Sequence, residues 1–236
     1  MPVIENYIQW YAPSLDRQID VLVYGDRGHP LILFPTSMGK YYESKDNGLI
    51  DAIAWFIDNG LVKVYCPDSV DAWSWYNKQV PPAERAHNHT RYNAMLHNEL
   101  LPRIRGESGY DRIAVAGCSF GGYQAANFAF RYPGAVSYLF SLSGVFDVRF
   151  RLDGYYDDNV FYNNPVDFVP GDNDPALWQM GIILGTGEYD ICLAENENFS
   201  RILSTKHIQH WLDIRPQARH DWPLWKAQLP HYLSLM

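Results

Sequence analysis

Ser119 lies in Gly117-Cys118-Ser119-Phe120-Gly121, a serine with a glycine two residues away on either side. The apolar run Ile113-Ala114-Val115-Ala116 leads into it, and Gly121-Gly122-Tyr123-Gln124-Ala125-Ala126 opens a helical pattern behind it. A strand–turn–helix of this kind holds a serine hydroxyl above the edge of a sheet, where a nucleophile is exposed. The five letters alone arise by chance roughly one time in ten in a chain of ordinary Gly and Ser content, so the setting carries the argument. Gly117 and Gly121 let strand and helix approach without a side chain between them. The competing reading is a tight helix start with Ser119 as a simple cap.

A serine hydroxyl needs a base, and the base needs an orienting carboxylate. Four histidines follow Ser119: His207, His210, His220 and His231. His220 is the candidate base, because it falls on a loop between the last expected strand and the last expected helix. The other three sit at or inside those elements and read as surface or packed histidines. The acid is expected after the strand Gly181–Leu184, in Gly185-Thr186-Gly187-Glu188-Tyr189-Asp190. Asp190 is preferred and Glu188 is the alternative, with Asp147 and Asp153 as weaker candidates one strand earlier. Charge developing on a carbonyl oxygen calls for two backbone N–H donors. Phe120, the residue after the nucleophile, supplies one. The turn Pro35-Thr36-Ser37-Met38-Gly39 supplies the other, with Ser37 preferred over Met38.

Short apolar runs alternate with helix-length amphipathic segments along the chain. Strands are expected at 7–11, 19–24, 31–34, 62–66, 113–116, 136–142, 181–184 and 210–214. Helices are expected at 49–59, 91–105, 121–131, 193–204 and 224–233. The first two strands suit an antiparallel hairpin at a sheet edge, and the rest suits a parallel sheet covered on both faces. Two long irregular stretches, 68–88 and 146–176, are rich in aromatics, Asp, Asn and Pro. They should emerge where the strands end, which is where such sheets place ligands.

The chain has 236 residues, 47% hydrophobic and 15% aromatic, which suits one large domain spanning residues 1–236. A formal charge of -8 argues against nonspecific nucleic-acid binding and gives no help at an anionic membrane. Cys66, Cys118 and Cys192 are odd in number, and no pair has metal-site spacing. Reduced thiols follow as the simple reading. The start Met1-Pro2-Val3-Ile4-Glu5 lacks a basic flank with an apolar run, and no stretch approaches a membrane span, so a cytoplasmic location is expected. Asp153-Gly154-Tyr155-Tyr156-Asp157-Asp158-Asn159 lacks EF-hand spacing and reads as a polar loop.

With these residues in view, the chain resembles the putative-esterase family of α/β-hydrolases. That family includes S-formylglutathione hydrolase, feruloyl and acetyl-xylan esterases, and the mycolyltransferases. The resemblance rests on Gly117–Tyr123 with Ala129-Phe130-Arg131-Tyr132-Pro133 downstream. Glu99–Pro102, Ser141-Leu142-Ser143-Gly144 and His220-Asp221-Trp222-Pro223-Leu224-Trp225 add to it. It runs from about Ile19 to Leu233 and implies an α/β-hydrolase fold with a mostly parallel sheet of about eight strands. It also implies hydrolysis of short-acyl carboxylic esters through an acyl-enzyme, with Ser119 as nucleophile, His220 as base and Asp190 as acid. Many members carry His-Gly where this chain has Pro35-Thr36, which leaves the Ser37 assignment resting on backbone alone. No cofactor or metal is implied, and the expected partner is a small-molecule ester, with a homo-oligomer left open. Acyl transfer to an alcohol or sugar would use the same triad. A non-catalytic binding protein would keep the cleft without the chemistry. Trp73-Ser74-Trp75-Tyr76 and Tyr155-Tyr156 either line the cleft or pack the long loops.

Overall fold

Alternating side chains along the central strands decide how the layers assemble. In a strand, successive side chains point to opposite faces. Leu31, Leu33, Ala114, Ala116 and Cys118 therefore face one way, and Ile32, Phe34, Ile113 and Val115 the other. Every one of these is buried, so helices must cover both faces, as an apolar parallel sheet requires. The computed structural model describes residues 4–236. Met1–Val3, where the segment read for a leader begins, lie outside the described residues.

The eight strands are β1 (Glu5–Ala12), β2 (Arg17–Tyr24), β3 (His29–Phe34), β4 (Val62–Pro67), β5 (Ile113–Cys118), β6 (Val136–Leu142), β7 (Gly181–Tyr189) and β8 (Trp211–Arg219). They form one sheet in the order β1-β2-β4-β3-β5-β6-β7-β8. β2 pairs antiparallel with β1 and β4, and every other pairing is parallel. This is the expected α/β-hydrolase arrangement with its antiparallel edge. One face carries the long helical rod from Pro82 to Ser108, the helix Phe120–Arg131 and the helix Leu193–Thr205. The other carries the short helices Leu49–Ala52 and Ala54–Asp58 and the helix Trp222–Leu233.

Three expectations shift. The rod begins at Pro82, within the stretch expected to be irregular, because proline at the first helical turn lacks only an N–H that has no partner there. A π-helical turn, Leu96–Leu100, precedes Pro102. The wider turn gives the proline ring room without ending the rod. β7 and β8 run on past their expected ends to Tyr189 and Arg219, which are paired. This extension brings Asp190 and His220 to adjacent strand ends. Among the described residues no helix is long and apolar enough to cross a membrane. The three cysteines are free and buried.

Candidate active site

The serine turn is tight because two glycines make it so. A Cβ on Gly117 would stand 2.2 Å from the Gly121 carbonyl oxygen, and one on Gly121 would stand 2.4 Å from that of Pro35. No larger residue fits either position without moving backbone. Ser119 takes φ 57° and ψ −122°, a strained conformation for a non-glycine residue. Its N–H donates to the Leu142 carbonyl at 2.8 Å, which ties the turn to the end of β6.

The Ser119 hydroxyl lies 2.9 Å from His220 Nε2. His220 Nδ1 lies 2.8 Å from Asp190 Oδ1. Asp190 Oδ1 also accepts the Cys192 N–H at 2.8 Å, and Oδ2 accepts the Ser143 hydroxyl at 2.5 Å. The Ser143 oxygen in turn accepts the Trp225 indole N–H at 2.8 Å. An unbroken line thus runs Trp225–Ser143–Asp190–His220–Ser119. Burial alone would raise the Asp190 carboxyl, but hydrogen bonds from His220, Ser143 and Cys192 outweigh it and hold it below the ordinary carboxylate value. Asp190 is therefore a settled anion facing the imidazole. The Trp225 ring meets the imidazole edge-on at 5.1 Å and backs it on one side.

The other named carboxylates and histidines lie elsewhere. Glu188 is exposed and accepts the Gln217 N–H at 2.8 Å. Asp147 pairs with Arg149, and Asp153 with Arg85. His210 bonds Ser200, and the His231 ring meets Trp211. His207 is a left-handed turn residue beyond the helix Leu193–Thr205.

Along the turn after β3 the amides are nearly all engaged. Thr36 N–H donates to Glu43, Met38 N–H to Asp71 at 2.9 Å, and Gly39 N–H to the Thr36 carbonyl. Ser37 is the one residue from 36 to 39 whose N–H has no protein acceptor among the described residues. The Phe120 N–H, in the first turn of its helix, is likewise without an acceptor. Burial pushes the Asp71 carboxyl up to about 7, against hydrogen bonds from Met38 and Gln124 that lower it. Asp71 thereby joins the turn after β3 to the serine helix, since its second oxygen accepts from Gln124.

The aromatic segments divide between the two readings. Tyr76 donates its hydroxyl to Ser37 Oγ at 2.6 Å and meets the Phe120 ring edge-on at 5.4 Å. Trp75 is wholly buried, and Trp73 is covered by Arg17 at 3.2 Å. Tyr155 and Tyr156 bond Asp157 and Asp167 within the long loop. Ser143, Trp225, Glu43 and Asp71 were not singled out as site residues in the sequence. Ser143 carried one usable signal, its place beside a glycine at the end of β6.

Asp190, Cys192 and His220 present ligand-type atoms within 4.8 Å of one another. Burial pushes the Cys192 thiol up to about 12, so it stays protonated, and both Asp190 oxygens already accept hydrogen bonds. Such a set serves proton handling better than metal ligation. A surface hollow of about 430 Å³, lined by Phe146, Asp147, Phe150, Val166 and Glu195 among others, contains neither Ser119 nor His220.

The family model described as "Putative esterase" matches residues 8–236. A search of curated protein sequences finds no significant match. Among solved structures, a ferulic acid esterase superposes with a TM-score of 0.80 at 17% identity, covering 99% of this chain and 97% of the other. The S-formylglutathione hydrolase FrmB of Staphylococcus aureus gives 0.74 at 13% identity, covering 100% and 99%. The fluorophosphonate-binding serine hydrolase FphF of Staphylococcus aureus gives 0.76 at 16%, covering 100% and 98%.

Proposed function

Because the chain belongs to this esterase family, we propose that it hydrolyses carboxylic esters of short acyl groups through Ser119, His220 and Asp190. The observation that carries the reading is the continuous hydrogen-bonded line from the strained Ser119 through His220 to the buried Asp190. In the reaction, Ser119 Oγ attacks the ester carbonyl while His220 Nε2 takes its proton. Asp190 holds the imidazole so that Nδ1 keeps its hydrogen, and its charge stabilises the imidazolium. The Phe120 and Ser37 N–H groups receive the oxyanion. The imidazolium returns the proton to the leaving alcohol, and an acyl-serine remains. His220 then activates water, the ester to Ser119 breaks, and the acid is released.

The chain acts as one hydrolase domain, with no metal or organic cofactor assigned a step. The test is hydrolysis of p-nitrophenyl esters of graded chain length, with a feruloyl ester and S-formylglutathione alongside. Wild type should turn over the short esters, and Ser119→Ala should fall to background. A fluorophosphonate should label wild type at Ser119 only. Equal inactivity of wild type and variant on all substrates would overturn the reading.

A further inference from the structure

Most arginines in or against the loop after β6 are employed, and Arg131 donates to the Tyr162 carbonyl and the Asn163 side chain. Arg149 pairs with Asp147 and Asp167. Arg85, itself buried, pairs with Asp153 and donates to the Val80 and Arg151 carbonyls. Arg151 has no ion pair among the described residues. Its Nε is buried with no acceptor, while the residue as a whole is only half-buried. Its two Nη atoms are not buried and donate to no acceptor among the described residues, so these are the donors a ligand can reach.

Its position is specific. The guanidinium carbon lies over the Tyr76 ring, 3.8 Å from its centroid, and 4.6 Å from that of Phe150. Tyr76 is the ring whose hydroxyl holds Ser37 and whose edge meets Phe120. Arg151 is therefore one aromatic ring away from the side chains of Ser37 and Phe120, the two residues whose amides are the oxyanion candidates. The buried acid Asp71 is near enough to feel its charge, but its two oxygens are spent on Met38 and Gln124. Phe150 is 61% exposed, so a ligand can reach this corner from solvent. Stacking fixes the plane of a guanidinium, which then offers parallel N–H donors matched to a planar carboxylate.

We propose that Arg151 is a specificity-determining residue that receives a carboxylate carried by the ester substrate, with Tyr76 as its platform. This rests on the hydrolysis reading above. An ester carbonyl lodged between the Ser37 and Phe120 amides would send one substituent along Tyr76, and a carboxylate on that substituent would meet Arg151. In a chain of net charge -8, such a locally available cation also offsets the repulsion that an anionic substrate meets elsewhere.

The test uses two matched pairs of substrates on the full chain. On the alcohol side they are 3-carboxyphenyl acetate and 3-carbamoylphenyl acetate. On the acyl side they are monomethyl glutarate and the methyl ester of glutaramic acid. Wild type should favour the carboxylate member of one pair by about tenfold or more in kcat/KM, less so at high salt. Arg151→Gln should abolish that preference, and Arg151→Lys should keep part of it. The ratio within a pair, measured on one sample, does not depend on how much of a variant is folded. No carboxylate preference in either pair, or a preference that survives in Arg151→Gln, overturns the assignment while neutral-ester turnover leaves hydrolysis standing. Inactivity on all four substrates overturns the hydrolysis reading, and this assignment with it.

Discussion

The two sides of the site are held in different ways. Ser119, Asp190 and His220 each stand one residue past the end of a strand: β5, β7 and β8. Their positions follow from parallel ladder register, in which Gly117 pairs with Phe34 and Ser141, and Tyr189 with Arg219. The turn after β3 and the rim, meaning the loop after β6, have no such ladder. Glu43, Asp71 and Tyr76 hold the turn through side chains, and a buried knot around Asn163 holds the rim to the helices. Backbone register spreads its support over many bonds, whereas a buried polar side chain is a single point of failure. The proposed triad rests on the first kind of support, and the turn that carries Ser37 and the loop that carries Arg151 rest on the second.

Asp190→Asn tests the ladder side most severely. With the imidazole facing an amide, the tautomer is wrong, and kcat/KM on a neutral ester should fall about 10⁴-fold while circular dichroism stays native. A variant within tenfold of wild type would remove Asp190 from the mechanism.

Asp71 tests the other side through pH. Its carboxyl titrates at about 7 in the fold, above the ordinary carboxylate value. Between those two values the unfolded chain has already released the proton that the fold still holds. Stability should therefore fall as pH rises toward 7 and level off above it. Asp71→Asn keeps a neutral acceptor and cannot titrate. The stability difference between wild type and variant should therefore drop by on the order of 2–3 kcal/mol from pH 5 to pH 8. The depressed Asp190 acts oppositely, losing its stabilisation as pH falls through its folded value, but it is common to both proteins and cancels. Parallel urea-unfolding curves at the two pH values would count against a protonated Asp71.

Asn163→Ala should lower stability by about 2 kcal/mol, because Asn163 bonds Asn93, Asn127, Thr90 and Arg131 in a fully buried place. Turnover of the folded variant on a small neutral ester should stay within a few-fold, as judged by active-site titration. A collapse of turnover with intact stability would erase the distinction between the two kinds of support.

Ser143→Ala brings the smallest change expected. It removes one hydrogen bond from the Asp190 carboxylate, and activity should fall about tenfold with KM nearly unchanged. It should also raise the Asp190 carboxyl toward its ordinary value, since one of the hydrogen bonds that lower it is gone. A changed KM with an intact kcat would place Ser143 at the substrate instead.

The serine turn was legible because its signals are local: an apolar strand, two small residues at a tight crossing and a helix behind it. His220 and Asp190 were legible because each lies just beyond a strand, although the strands proved longer than alternation alone implied. The rod's start at Pro82 was obscured by a Pro-Pro pair that reads as loop until the second proline is seen to occupy the first helical turn.

Sequence by itself determined the order of strands and helices, the serine turn with its candidate base and a short list for the candidate acid. These follow from period, from turn chemistry and from chain neighbours. Only the tertiary structure decided that Asp190 and not Glu188 faces His220, and that Met38's amide is spent on Asp71 while Ser37's has no acceptor among the described residues. It alone left Arg151 stacked on Tyr76 without an anion. Each of these depends on groups tens of residues apart competing for the same hydrogen bonds, and no local pattern records who wins. Ser119 itself shows the division: its setting is written in five residues, and its partners are gathered from three strand ends.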